Sequence, residues 1–197
     1  MSRIASALLG GVALVAVGAA PSLAQSPFDG AYVGAYTGYT DNNASAASGA
    51  ANAKFDSDGW LYGAYAGYGK TFDSFYLGGE IDLGSADISG KGTVAGLPTS
   101  LSMNESYGIS ARAGYLISND ALLYGRVGWQ RTNYEVSVGS GATRIKADDT
   151  LDGLRLGGGL EYALTQNVLA RVEYNYTDYD KTRFDENQIR VGVAYRF

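Results

Sequence analysis

Ten ionisable side chains in this chain sit at spacings that invite a chemical reading. Glu80 and Asp82 are two residues apart in FYLGGEIDLGS, so on an extended backbone both carboxylates leave the same face. Glu161, Glu173 and six arginines (Arg112, Arg126, Arg155, Arg171, Arg190 and Arg196) lie in stretches with the same two-residue rhythm. A close carboxylate pair is the least equipment that general acid–base catalysis needs, because each charge shifts the other's protonation. The competing reading is electrostatic. A buried charge is very costly unless it is paired and hydrogen-bonded, so ten ionic groups gathered on one inner face imply an interlocked network rather than a reaction centre.

The composition favours the network. The chain has no His and no Cys, which removes Ser-His and Cys-His nucleophiles, disulfides, and thiolate or imidazole metal sites. DSDG at 56–59 begins like a calcium loop, but Gly67 stands at the twelfth position, where such a loop needs an acid, so the segment reads as a turn. GLRLGGG at 153–159 lies inside an alternating stretch with no helix after it and is no phosphate loop. The expectation is a non-enzymatic chain without metal or cofactor.

Residues 1–24 stand apart from the rest. Arg3 gives a short basic start, Ile4 to Ala20 is uncharged, and Ser22-Leu23-Ala24 offers small residues at −3 and −1 before Gln25. That is the pattern of a cleaved secretory signal peptide, leaving 25–197 as one domain. Without Arg3, 14 basic residues face 20 acidic ones, a net charge of −6. Nucleic-acid binding would need a basic patch, so it is excluded.

Eight stretches must position the charges: 30–40, 60–72, 75–85, 106–117, 121–134, 151–164, 167–177 and 187–197. Each alternates with a period of two and is long enough for a tilted strand that needs ~9–11 residues to cross a bilayer. Asp73-Ser74, Ser118-Asn119-Asp120 and Thr165-Gln166 form tight turns. The other connections, 41–59, 86–105, 135–150 and 178–186, are long, so short and long ends fall on opposite sides of one antiparallel meander. The first long connection is small and polar and reads as a hydrated mobile loop. The third keeps enough alternation to lengthen its strands. Over 41–59, 86–105, 135–149 and 178–186 there are 12 acids and 6 basic residues.

Sorting by parity puts Val33, Leu77, Ile81, Ile109, Val127, Leu156, Val172 and Val191 on one face, uncharged in mid-strand. The opposite face carries all ten ionic groups together with many glycines. A soluble barrel would bury the apolar face, whereas a membrane barrel turns it outwards. Aromatics decide between them. Tyr39, Trp60, Tyr62, Tyr107, Trp129, Tyr174 and Tyr176 lie near the long connections, and Tyr68, Phe72, Phe75, Tyr115, Tyr162, Tyr195 and Phe197 near the tight turns. Two belts at two interfaces point to an all-β, eight-stranded antiparallel up-and-down transmembrane β-barrel with the charges in its lumen. Lys70 and Arg131 break the apolar parity. Lys70 is expected to snorkel, and Arg131, just beyond Trp129, is the candidate for contact with lipopolysaccharide phosphate.

GAYVGAYTGY after a signal peptide, SARAGYLI with ALLYGRVGW, GGGLEYALTQNVLARVEYNYTDY and a final VGVAYRF resemble the porin-family or OmpA-like eight-stranded outer-membrane proteins, and most of all their small surface-antigen and opacity-protein branch. The resemblance implies export to a Gram-negative outer membrane among its lipids and lipopolysaccharide. It also implies insertion by the barrel-assembly machinery, with Tyr195 and Phe197 as the assembly signal. The peptidoglycan-binding domain of longer relatives is expected to be absent. Three roles stay open: a structural envelope protein displaying surface loops, a narrow pore whose 6 arginines against 4 carboxylates favour small anions, and an adhesin that meets a host or surface ligand through its loops.

Overall fold

The computed structural model describes residues 26–48, 51–94, 97–138, 145–179 and 184–197. The expected signal peptide at 1–24 lies outside them. The strands are β1 (Gly30–Ser48), β2 (Ala51–Phe72), β3 (Phe75–Val94), β4 (Leu97–Ser118), β5 (Ala121–Val138), β6 (Ile145–Ala163), β7 (Val168–Tyr179) and β8 (Phe184–Arg196). Each pairs antiparallel with its neighbour in sequence, and β8 returns to β1 to close the barrel. The closing register runs from Tyr32 opposite Arg196 to Ala44 opposite Phe184, and Phe197 N–H donates to Ala31 O at 2.9 Å. Through the lipid-facing band every strand is paired on both sides, while the outer ends continue as two-stranded hairpins.

Turn chemistry explains one end of the barrel. Asp73 takes φ 55° between β2 and β3, a left-handed conformation that Asp tolerates in a two-residue turn. Asn119-Asp120 joins β4 to β5. The β6–β7 turn is four residues, Leu164 to Asn167, rather than the two expected. Thr165 Oγ1 is the cause, accepting from Asn167 N–H (3.2 Å) and Val168 N–H (3.0 Å).

At the other end the strands run further than the side-chain pattern indicated. β1 and β2 stay paired to Ser48 opposite Ala51, so most of 41–59 is ladder rather than loop. The same correction applies to 86–105, where β3 reaches Val94 and β4 starts at Leu97, and to both flanks of 135–150 and 178–186. DSDG at 56–59 is not a turn: Asp58 lies opposite Asp41 within the ladder and accepts from Tyr39 Oη. Above the bilayer neither face must be apolar, so these segments lose the hydrophobic alternation while their backbone groups still pair.

Alternation fixes inside and outside. Trp60, Leu83, Ile109, Leu160 and Val193 are exposed on the outer face, and Leu83 reaches 64 %. The protein's core is its lumen, which holds Tyr32, Tyr36, Leu61, Tyr65, Tyr76, Leu122 and Tyr124 besides the ionic groups. The lumen glycines serve these rings. A Cβ on Gly34 would lie 2.6 Å from Tyr65 Oη, and one on Gly159 would lie 2.8 Å from Tyr124 Oη and 2.6 Å from Val172 O. The rings cross neighbouring strands where a glycine leaves room. Gly159→Val is therefore expected to destabilise the barrel by about 1–3 kcal/mol, because Val172 O is backbone and cannot withdraw. Urea unfolding in detergent, followed by tryptophan fluorescence, measures it.

Candidate functional site in the barrel lumen

β3 to β8 deliver the ten predicted groups to the lumen, and all ten are buried. Strand parity does this without loops or special backbone, so each charge stands on a rigid ladder. Glu80 is the hub. Its Oε2 accepts from Arg171 Nη1 (2.7 Å), Tyr32 Oη (2.9 Å) and Arg112 Nη1 (3.4 Å), and its Oε1 lies 3.3 Å from Arg126 Nη1. Asp82 Oδ1 accepts from Arg155 Nη1 (2.7 Å) and Arg126 Nη2 (3.1 Å). Glu161 Oε2 joins Arg171 Nη2 (2.9 Å) to Arg112 Nη2 (3.2 Å). Glu173 accepts from Arg126 Nη1, Asn175 Nδ2 and Tyr124 Oη, each at 2.7 Å. Stacking adds to the pairing: the guanidinium carbons of Arg112 and Arg171 lie 3.9 Å from the ring centres of Tyr124 and Tyr65.

Towards the outer end the ion pairs give way to hydrogen bonds between charged and neutral side chains. Arg155 Nε donates to Gln130 Oε1 at 2.7 Å, and Arg190 donates to Gln188. The fully buried Glu186 accepts from Tyr179 Oη (2.7 Å), Gln188 Nε2 (2.7 Å), Gln130 Nε2 (3.1 Å) and Thr40 Oγ1 (3.2 Å). Between Glu80, Asp82, Arg171, Arg190 and Tyr65 the packing leaves a cavity of about 10 Å³, room for about one water molecule.

The structure adds partners to several of the expected residues. Arg196 is in the lumen but outside the carboxylate network, because it lies at the turn end beyond the acids' reach. It donates instead to Gln166 O (2.9 and 3.1 Å) and Asp29 O (2.9 Å). The charge count changes: Asp29 and Glu186 are buried as well, so the described residues bury six arginines and six carboxylates, one of which, Asp29, pairs with Lys70. Lys70 keeps a half-exposed head group at the periplasmic end and gains a partner there, Asp29 at 2.5 Å. Arg131 forms a two-point pair with Asp152 (2.6 and 3.0 Å) beside the Trp129 ring, so it meets its surroundings as half of an ion pair.

The residues that sequence reasoning missed share the parity of those it found. Tyr32, Tyr36, Tyr65, Tyr76 and Tyr124 alternate with the lipid-facing positions, and Glu186 is four residues before Arg190. Counting by parity instead of by residue type would have placed them inside.

A lumen filled by cross-strand ion pairs, inside a closed eight-stranded wall that is apolar outside, is the arrangement of one class of proteins. Residues 10–197 match the family described as "Outer membrane protein beta-barrel domain". The chain belongs to the outer-membrane β-barrel family and resides in the bacterial outer membrane. It is 33% identical over 181 residues to the 25 kDa outer-membrane immunogenic protein of Brucella ovis, covering 88% of this chain and 80% of the relative. It is 31% identical over 165 residues to a 22 kDa outer membrane protein of Rhizobium leguminosarum bv. viciae, covering 73% and 71%. Among solved structures, the attachment invasion locus protein Ail of Yersinia pestis shares the fold with a TM-score of 0.54 at 17% identity, covering 86% of this chain and 99% of that one. For a member of this family the tight turns are periplasmic and the long hairpins extracellular.

In this outer-membrane barrel the pairs around Glu80 depend on one another. Glu80→Ala leaves Arg171 and Arg112 short of a buried partner and is expected to cost about 3–5 kcal/mol. In a cycle with Arg171→Ala, equilibrium unfolding should show a coupling of about 1–3 kcal/mol.

Proposed function

We propose that the chain is a non-enzymatic structural protein of the outer membrane, contributing to envelope integrity with a closed lumen and displaying its long hairpins outside the cell. The observation that carries this reading is the pairing of the four mid-lumen acids, Glu80, Asp82, Glu161 and Glu173, with arginines. Glu80 and Asp82, the carboxylate pair singled out by its spacing, are both buried and each is held by at least two guanidinium groups, and the cavity beside them has room for about one water. The buried carboxylates leave little excess positive charge in the lumen, which supports a closed barrel over an anion-selective pore.

The outer hairpins extend as paired strands. β1 continues nine residues beyond Tyr39, about 30 Å at the usual rise per residue. The Brucella relatives are named as immunogenic, which fits extensions of this length reaching the cell exterior, where a host or surface ligand could meet them. At the headgroup level the Arg131–Asp152 pair is the contact we assign to lipopolysaccharide phosphate, acting as a screened pair and not as a bare cation. At the periplasmic end we assign Tyr195 and Phe197 to the barrel-assembly machinery. Their rings are 5.4 Å apart and half exposed, and the Phe197 N–H completes the β1–β8 seam.

Planar-bilayer recordings of the purified barrel are expected to show no steady open channel, and sustained unit conductance would overturn the closed-lumen reading. Deleting Phe197 is expected to lower the amount of barrel inserted in cells several-fold while moving the unfolding midpoint of the refolded protein little, because one peripheral contact is lost. Equal losses in both measurements would count against an assembly role.

A further inference from the structure

The segment before β1 belongs to no strand, yet it is among the most buried parts of the chain. Phe28 is 1% exposed and Asp29 3%. Large apolar side chains elsewhere in the barrel mostly face lipid. Phe28 instead enters the periplasmic end of the lumen and joins the buried cluster that contains Tyr76, Leu122 and Leu169. The backbone is shaped to bring it there. Asp29 N–H donates to Ser26 O at 3.0 Å, Phe28 N–H donates to Ser26 Oγ at 3.3 Å, and Gly30 takes φ +107°, which a side chain would strain.

Asp29 then fastens the segment on three sides. Its carboxylate accepts from Thr71 N–H at 2.6 Å and from Lys70 Nζ at 2.5 Å, both at the end of β2. Its carbonyl accepts from Arg196 Nη1 at 2.9 Å, and the same guanidinium holds Gln166 O in the β6–β7 turn. Asn167 of that turn is bonded both ways with Arg196: its carbonyl accepts from Arg196 N–H, and its Nδ2 donates to Arg196 O, each at 2.8 Å.

We propose that residues 26–30 are a periplasmic cork and clasp. Phe28 seals the lower mouth of the lumen with an apolar layer beneath the ionic network. Asp29 ties the β1–β8 seam to β2 and to the β6–β7 turn. The lumen then has two barriers of different chemistry in series, and water or ions arriving from the periplasm meet the apolar one first.

The chain has no Cys, so one introduced thiol reports access to the lumen floor without interference. Leu169→Cys places it in the cluster with Phe28, and Ser118→Cys places one on the exposed periplasmic rim as a control. Full-length barrels, checked as folded by heat-modifiable migration, are treated with a charged methanethiosulfonate reagent. With Phe28 present, the Leu169→Cys thiol is expected to label at least about tenfold more slowly than in the Phe28→Ala background, because a buried site reacts only through local opening. The control thiol should label equally in both backgrounds. Asp29→Ala, with Phe28 kept, should speed hydrogen exchange at the Thr71 and Phe197 amides and leave the Glu80 amide unchanged. If Phe28→Ala does not fold, Phe28→Val gives the same comparison with a smaller opening. Equal labelling of the Leu169→Cys thiol with and without the Phe28 ring overturns the cork, and unchanged exchange in Asp29→Ala overturns the clasp.

Discussion

Desolvation governs this lumen. Eight strands close at a radius where inward side chains fill the space, so an arginine that points inwards loses most of its water and must find acceptors across the barrel. The geometry shows how fully that demand shapes the interior. Glu80 on β3 draws guanidinium groups from β4, β5 and β7, and Arg126 on β5 reaches acids on β3 and β7. Apart from the Glu80–Arg112 pair between the adjacent strands β3 and β4, these bonds join strands that are not neighbours in the wall. The backbone ladder alone would allow the wall to breathe, and the ions cross-brace it. The tyrosines and glycines follow from the same constraint: rings stack on guanidinium planes, and glycines on adjacent strands clear the path for the rings.

The lumen changes character along its axis. An apolar floor at the periplasmic end underlies an ionic middle, and above that lies a layer of Gln130, Thr132, Asn175, Thr177, Tyr179, Glu186 and Gln188 joined by hydrogen bonds of which several converge on Glu186. Charges stand deepest, where their partners are fixed on several strands. Nearer the outer opening, buried amides and hydroxyls gather around Glu186 and hydrogen-bond its carboxylate.

Most of this architecture was legible in the sequence, because a two-residue period with an apolar face and a charged face has few solutions. Strand number, closure, the outward face of Leu83 and Val193, and the inward face of all ten ionic groups follow from parity. What was not legible has physical causes. The outer strand ends were hidden because no bilayer imposes an apolar face there. Arg196 carries the same parity signal as Arg190, but its partners are backbone carbonyls, which no residue type announces. The lumen tyrosines were concealed by the tyrosines of the belts, since residue type suggested an interface and only position revealed the interior. The role of Phe28 depends on a backbone turn at Gly30 that periodicity does not encode.

The irregularities of the sheet carry a consequence for how such a protein can vary. Register shifts occur between Gly84 and Ala86, Ala86 and Gly90, and Met103 and Glu105, all on the extracellular side of the lipid-facing stretch, and one between Leu116 and Ser118 at the periplasmic rim. A single inserted residue inverts every later side chain on its strand. Inside the bilayer that would turn charges into lipid and leucines into the lumen. Past the rims the inversion is harmless, and a bulge absorbs it. Length change in this barrel is therefore confined by arithmetic: the membrane band accepts residues only in pairs, while the exterior hairpins are free to gain or lose them one at a time.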